Sequence, residues 1–163
     1  MKKIFFLVIT IAFITLVGCS DKEKSEESVI NGPSDETVSM LSSKAKEVEI
    51  ELPSFVTDRP SLVQENYALS YEYTDVLQYM PCFCGCVNQG HKSNYNCFIK
   101  EHNGKNVTWD KMGLNCDICN SIARESIALY EEGNSLYDIR TYIDDKFGSY
   151  GPSTKTPMPE KTM

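Results

Sequence analysis

The first helical pattern in the chain runs from Pro60 to Met80. Apolar side chains recur there at three- and four-residue spacing, which is typical of a helix with one buried face. Proline suits the first turn of a helix, where Pro60 stands, and the position after its end, where Pro81 stands. The pattern therefore predicts one amphipathic helix near 60–80, leading into the residues that follow Pro81.

Two further helices are predicted near 116–132 and 135–147. In each of them the apolar residues share one side. Gly133 and Asn134 provide a fitting stop for the first, and Ser135 is a good cap for the second. Together the three patterns predict an all-α fold, a small bundle of about three helices.

The segment between the predicted helices, 82–115, has no sustained hydrophobic period. It is rich in glycine, asparagine and charged residues, and Asn103-Gly104 marks a turn. Trp109 and Met112 are expected to pack against the core. We therefore predict that the helices frame an irregular cysteine-rich loop within a single domain, 55–150.

Residues 1–19 resemble a bacterial lipoprotein signal. Lys2 and Lys3 precede an apolar run that is too short for a stable membrane span. Leu16-Val17-Gly18-Cys19 matches the lipobox, at which such signals are cleaved. The resemblance implies removal of 1–18 and lipidation of Cys19, which would anchor the chain to the cell membrane on its extracytoplasmic face. An ordinary secretion signal with a free cysteine is the alternative.

Both flanks of the predicted domain are polar. Residues 19–54 hold few bulky apolar side chains, so we predict an acidic, flexible tether with only a faint helical period between 38 and 50. The segment beyond Tyr150 is rich in proline and is predicted to be a disordered tail, 151–163.

Composition narrows the classes of function. The chain has 163 residues and a formal charge of −7, which argues against nucleic acid as a partner. It contains neither a glycine-rich phosphate loop nor a nucleophile elbow, and only two histidines could serve as a general base. An enzyme is therefore disfavoured. The partners that we expect are a lipid membrane, through acylated Cys19, and a metal-handling protein.

Six of the seven cysteines fall within a window of 38 residues. They are Cys82, Cys84, Cys86, Cys97, Cys116 and Cys119. The first three alternate with other residues, and Gly85 lets the backbone bend, so two or three sulfurs can turn toward one centre. The last two form a CxxC pair at a predicted helix start, where the helix dipole favours thiolates.

These six sulfurs, with His91, form the predicted metal site. Thiolate and imidazole ligands favour soft or borderline ions such as Cu(I) and Zn(II). The alternating thiols and the CxxC pair would supply two halves of the ligand set, which Cys97 or His91 would complete or orient. His102, beside Glu101, is expected to be a solvated loop residue.

The order of these motifs resembles a known family. Pro81-Cys82-Phe83-Cys84-Gly85-Cys86 is followed by Gly90-His91-Lys92-Ser93, Cys97-Phe98-Ile99, the CxxC pair, and Ile139-Arg140 with Ile143-Asp144. The series is similar to that of the bacterial PCYCGC-motif lipoproteins, also called the CYCXC family, with Phe83 in place of the usual tyrosine. The likeness covers roughly residues 53 to 150. Some relatives are selenoproteins, which implies that chalcogen nucleophilicity or soft-metal affinity matters there. The resemblance brings no established reaction with it.

Two other uses of the sulfurs stay open. The six cysteines are even in number and the cysteines of an exported domain can oxidise, so they could form structural disulfides. The chain would then be an interaction module stabilised by disulfides. Cys116-Asp117-Ile118-Cys119 has the spacing of a thioredoxin-type redox dithiol, but no predicted strand precedes it as in that fold. The favoured hypothesis is binding, delivery or sensing of Cu(I) or Zn(II), without turnover.

Overall fold

The computed structural model describes residues 30–161. These residues form six α-helices, one two-stranded antiparallel sheet and three short 3₁₀ turns. The helices are α1 (Asp35–Glu47), α2 (Ser54–Thr57), α3 (Ser61–Glu72), α4 (Thr74–Leu77), α5 (Asp117–Glu131) and α6 (Leu136–Phe147). The strands are β1 (Ile99–Asn103) and β2 (Asn106–Trp109), and the 3₁₀ turns are Cys86–Gln89, Asn94–Cys97 and Met112–Leu114.

The prediction of an all-α bundle of about three helices is wrong, because the fold contains a β-hairpin. The two strands occupy part of the predicted irregular loop and pair from Ile99 opposite Trp109 to Asn103 opposite Asn106. Of β1 only Ile99 is buried, so the strand lacks the alternation of apolar and polar residues by which a sequence reveals a strand. The turn predicted at Asn103-Gly104 does join the strands, with Gly104 at φ +56°.

The helix predicted near 60–80 is divided in two. Tyr73 lies between α3 and α4 with φ −101° and ψ 35°, outside helical values. The Thr74 hydroxyl donates a hydrogen bond to the Tyr71 carbonyl (3.0 Å), a local side-chain contact that competes with helical geometry. The apolar pattern of the sequence continues across this break, so the period alone does not reveal it.

The two helices of the C-terminal half lie close to the predicted ranges 116–132 and 135–147. Ser135 caps α6, since its hydroxyl oxygen accepts a hydrogen bond from the Asp138 amide at 3.1 Å. Gly133 has φ +85° just after α5, the left-handed conformation that commonly ends a helix. Local signals therefore set these boundaries.

Helix α5 is the centre of the fold. It packs against α1, α3, α4 and α6. Its residues Ile122, Ile127 and Leu129 are completely buried, as is Tyr67 of α3, whose ring stacks edge-to-face on Phe98 with centroids 5.2 Å apart. Trp109 and Met112 pack against this core, as predicted.

Helix α1 lies in the stretch predicted to be a flexible tether, yet it packs on α3 and α5. It buries only Leu41 and Ala45, which explains the faint period in the sequence. Arg124 of α5 donates hydrogen bonds to the Val38 carbonyl (3.2 Å) and the Ser42 hydroxyl (3.0 Å), so α1 is held by polar contacts as well. The packed structure thus includes residues before 55, while the domain boundaries themselves stay a prediction.

The segment after Tyr150 forms neither helix nor strand up to residue 161, but it returns to the body of the fold. Thr154 is buried, and the Arg140 guanidinium donates to the carbonyls of Tyr79 (2.9 Å) and Pro157 (3.1 Å). This contact places the tail beside the residues that precede the cysteine motif. Within residues 30–161, no helix is both long and apolar enough to cross a membrane.

Candidate metal centre

The PCFCGC motif lies between α4 and the first 3₁₀ turn. Met80 and Cys82 are fully buried, so the chain enters the motif anchored in the core. Gly85 has φ +81°, which an L side chain rarely adopts, and it turns the backbone into the 3₁₀ turn that starts at Cys86. The three thiols are therefore directed to one side by a tight bend rather than by an extended strand.

Four sulfurs converge at the N-terminus of α5. The Sγ atoms of Cys82, Cys84, Cys86 and Cys119 all lie within 4.8 Å of one another, and we call these four residues the four-sulfur cluster. Cys84 Sγ is 3.1 Å from Cys82, 2.9 Å from Cys86 and 3.2 Å from Cys119. Residues 35 positions apart in the sequence thus share one centre.

The spacing of the cluster suits a metal ion. All six cysteines in residues 30–161 are free thiols. Sulfurs in a disulfide are about 2.05 Å apart, whereas tetrahedral thiolates at about 2.3 Å from zinc are about 3.8 Å apart. The observed separations, 2.9 to 3.5 Å, are all much longer than a disulfide bond, and the longest approaches the distance expected around zinc. The cluster is therefore positioned to hold a metal ion, and the alternative of structural disulfides has no support in the described residues.

A second donor group adjoins the four-sulfur cluster. Cys86, His91 and Cys97 also bring their ligand atoms within 4.8 Å of one another, so Cys86 belongs to both groups. Cys97 Sγ is 3.6 Å from His91 Nδ1 and 3.3 Å from Cys119 Sγ. On the other side of the imidazole, Nε2 lies 3.8 Å from Asp110 Oδ2.

Cys116 belongs to neither group. It caps α5, and its sulfur accepts a hydrogen bond from the Cys119 amide at 3.4 Å. Because Cys119 is three residues farther on, in the first turn of the helix, its thiol faces the cluster while Cys116 lies half-buried beside it. The structure thus brings together six of the seven predicted site residues and gives Cys116 a capping role.

Burial divides the donors into an inner and an outer set. Cys82, Cys86, Cys97 and Cys119 are fully buried, whereas Cys84 and His91 keep partial exposure. Each donor group therefore has one member that reaches solvent. An ion could reach either group without unfolding of the core.

The thiols influence one another's ionisation. Hydrogen bonding to Cys119 holds the pKa of the Cys82 thiol below its usual range and lowers the pKa of Cys116 to about 6. Burial raises the pKa of the Cys84 thiol, and hydrogen bonds to its neighbours, Cys116 first, raise that of Cys119. Contacts within the cluster thus shift the pKa values of neighbouring thiols in opposite directions, and a bound ion would favour the thiolate form of each ligand.

Three residues around the sulfurs carried no signal in the sequence. Thr154 brackets Cys82, since its hydroxyl accepts from the Cys82 amide (2.9 Å) and its own amide donates to the Cys82 carbonyl (3.0 Å). Asn94, fully buried, donates to the Cys119 carbonyl at 3.1 Å. Asp110 faces His91, as described above. All three lie far from their partners along the chain, so only the fold reveals them.

We expect the Thr154 hydroxyl to contribute measurably to the stability of the fold. Thr154→Val keeps the volume of the side chain but leaves the buried Cys82 amide without an acceptor, which should lower the free energy of unfolding by about 1–3 kcal/mol. Thr154→Ser retains the hydroxyl and is the matched control, expected to lose less than about 1 kcal/mol. Chemical denaturation under reducing conditions measures both, and equal losses would contradict the bracketing role.

The remaining predicted positions lie apart from the centre. His102 is exposed on β1 and its Nδ1 is 2.7 Å from the Tyr95 hydroxyl. Cys19 and the predicted signal, 1–18, lie outside the described residues.

Fold and site together define a small mixed α/β protein with a cysteine-rich centre that is positioned to hold a metal ion. The family described as "Protein of unknown function with PCYCGC motif" matches residues 7–159, so the chain belongs to that family. This confirms the family suggested by the order of the motifs. Neither the curated proteins nor the solved structures give a match.

Proposed function

We propose that this protein binds a soft metal ion, Cu(I) or Zn(II), for storage, delivery or sensing. The observation that carries the proposal is the convergence of four thiols from two distant segments without any disulfide among them. Thiolate-rich sites select Cu(I) and Zn(II) over harder ions such as Mg²⁺ and Ca²⁺. The thiolate ligands thus indicate the chemical class of the metal, a soft or borderline ion.

Burial supports an ion as the occupant of the cluster. Cys82, Cys86 and Cys119 have no exposure to water, and isolated buried charges are costly unless they are paired or coordinate a metal. Hydrogen bonding already favours the thiolate of Cys82. A cation at the centre of the four sulfurs would compensate this charge directly.

The partial exposure of Cys84 favours transfer over permanent storage. A ligand at the surface of the site can be replaced by a thiol of an incoming partner, while the buried ligands still hold the ion. We therefore propose a metal-handling protein as the partner. No step of this function requires turnover of a substrate.

We further propose that the protein works at a membrane surface. The support is the sequence alone, because the lipobox at Leu16-Val17-Gly18-Cys19 lies outside the described residues. Lipid on Cys19 would hold the domain on the extracytoplasmic face of the cell membrane. Recovery of a Cys19→Ser variant from the membrane fraction in the same proportion as the unaltered chain would refute this anchor.

The test of metal binding uses the full chain, purified anaerobically in detergent. It is titrated with Zn²⁺ and, separately, with Cu(I) against a competing chelator, and the bound metal and free thiols are counted. We expect at least one tightly held ion per chain, with protection of thiols as the ion binds. Free thiols without stoichiometric binding of either ion would overturn the proposal.

A redox function is a second candidate, favoured by the CxxC pair. Cys116 is half-buried at a helix N-terminus with its pKa lowered to about 6, and Cys119 lies behind it. The Cys116 thiolate would attack a partner disulfide and release one partner thiolate. The Cys119 thiolate would then displace the second, leaving a reduced partner and a Cys116–Cys119 disulfide. Two results together would favour this function. The unaltered chain would reduce a model disulfide without binding metal, and the Cys116→Ser variant would not reduce it.

A further inference from the structure

The two donor groups are joined through Cys86, and this sharing bears on how many ions the centre holds. Cys86 Sγ is 2.9 Å from Cys84 in the four-sulfur cluster and 4.0 Å from Cys97 in the second group. A thiolate has enough lone pairs to bind two ions at once. The position of Cys86 between the groups therefore suits a bridging ligand.

We propose that the centre holds two soft metal ions bridged by the Cys86 thiolate, an inference that rests on the proposed metal-binding function. The first ion is bound by Cys82, Cys84, Cys86 and Cys119. The second ion is bound by Cys86, Cys97 and His91 Nδ1. Three donors are a sufficient set for Cu(I) or, with one further ligand, for Zn(II).

The count of buried charges favours two ions. Five thiols, those of the four-sulfur cluster and Cys97, meet in one place, and four of the five are fully buried. If all ionise around one divalent ion, three negative charges stay uncompensated, which a buried site does not tolerate. A second divalent ion leaves only one uncompensated negative charge. With Cu(I), one ion leaves four of the five thiols protonated in a neutral site, whereas two ions leave three. A second ion therefore reduces the uncompensated charge for either metal.

The surroundings of His91 support the second ion independently of the first. Its Nδ1 points toward Cys97 while its Nε2 lies 3.8 Å from the Asp110 carboxylate. A carboxylate on the far side of an imidazole is the common support of a histidine that binds a metal, because it orients the ring. Asp110 is itself fixed, since its Oδ1 accepts from the Met112 amide (2.7 Å) and its carbonyl accepts from the Tyr67 hydroxyl (2.8 Å).

The decisive measurement is the number of ions in the folded full chain. We expect native mass spectrometry to find two Zn²⁺ or two Cu(I) per chain after anaerobic loading, and one in a His91→Ala, Cys97→Ser variant. No bound ion in the unaltered chain would refute the proposed function itself. One ion would refute only the two-ion centre. Two ions in the double variant would also refute it, because the second would then lie elsewhere.

Two further measurements keep the inference testable if the double variant does not fold. Asp110→Asn should lower the affinity for the second ion by about 10- to 100-fold and leave the affinity for the first ion unchanged. Co²⁺ serves as a paramagnetic probe for the bridge: the EPR signal should rise with the first equivalent and fall with the second, because a shared thiolate couples the two spins. A signal that rises equally with both equivalents would contradict bridging by Cys86.

Discussion

Replacing Cys119 with serine should weaken metal binding by about 10²–10³-fold. Cys119 Sγ is the one donor from α5, and it lies 3.5 Å from Cys82, 3.2 Å from Cys84 and 3.3 Å from Cys97. A set of four zinc ligands supplies about 10–16 kcal/mol, so the loss of one thiolate removes roughly a quarter of it. Competition against a chromophoric chelator, with the full chain under anaerobic conditions, measures the change.

Cys116→Ser is the matched control, since the same substitution is made three residues earlier. Serine is a favoured N-cap, so its hydroxyl can accept the Cys119 amide as the sulfur now does. We expect affinity within about threefold of the unaltered chain and an unchanged helix content by circular dichroism. Equal loss of affinity in both variants would show that Cys116 is a ligand, and no loss in Cys119→Ser would place the metal elsewhere.

Leu41→Ala should lower the free energy of unfolding by about 2–5 kcal/mol, because it leaves a cavity where a side chain is now completely buried. The effect would be large for a residue in a stretch that the sequence analysis assigns to a tether. It tests directly whether α1 belongs to the folded unit. Urea denaturation of the full chain, followed by the fluorescence of Trp109, provides the measurement.

Met40→Ala provides the comparison within the same turn of α1. Met40 is 44% exposed, whereas Leu41 has no exposure, so truncation of Met40 removes few contacts. We expect a change within about 0.5 kcal/mol. If both variants unfold at the same urea concentration as the unaltered chain, α1 does not contribute to the stability of the core.

The sequence predicts those elements of the fold whose signals are local. Helices α5 and α6 begin and end at capping residues such as Ser135 and at Gly133, so their positions follow from a few adjacent residues. The β-hairpin does not follow, because β1 buries only Ile99 and its pairing depends on residues across the turn. Likewise α1 is stabilised by long-range contacts, such as those from Arg124.

The candidate site shows the same division. The alternation of Cys82, Cys84 and Cys86 around a glycine predicts that their sulfurs meet, since this depends on adjacent backbone. Which member of the CxxC pair joins them depends on where α5 begins, and the helix starts so that Cys116 is the cap and Cys119 faces inward. Thr154 and Asp110 contact Cys82 and His91 from distant segments. The spacing of residues in the sequence therefore does not predict these contacts.

The bracket between Thr154 and Cys82 has a consequence for the timing of assembly. Ribosomes make a chain from its N-terminus, and 72 positions separate these two residues. All five thiols of the two donor groups are therefore synthesised before the residue that secures the first of them. A chain cut short ahead of Thr154 would carry every cysteine yet lack this bracket, so the centre gains its full support only once the last stretch of polypeptide has been made.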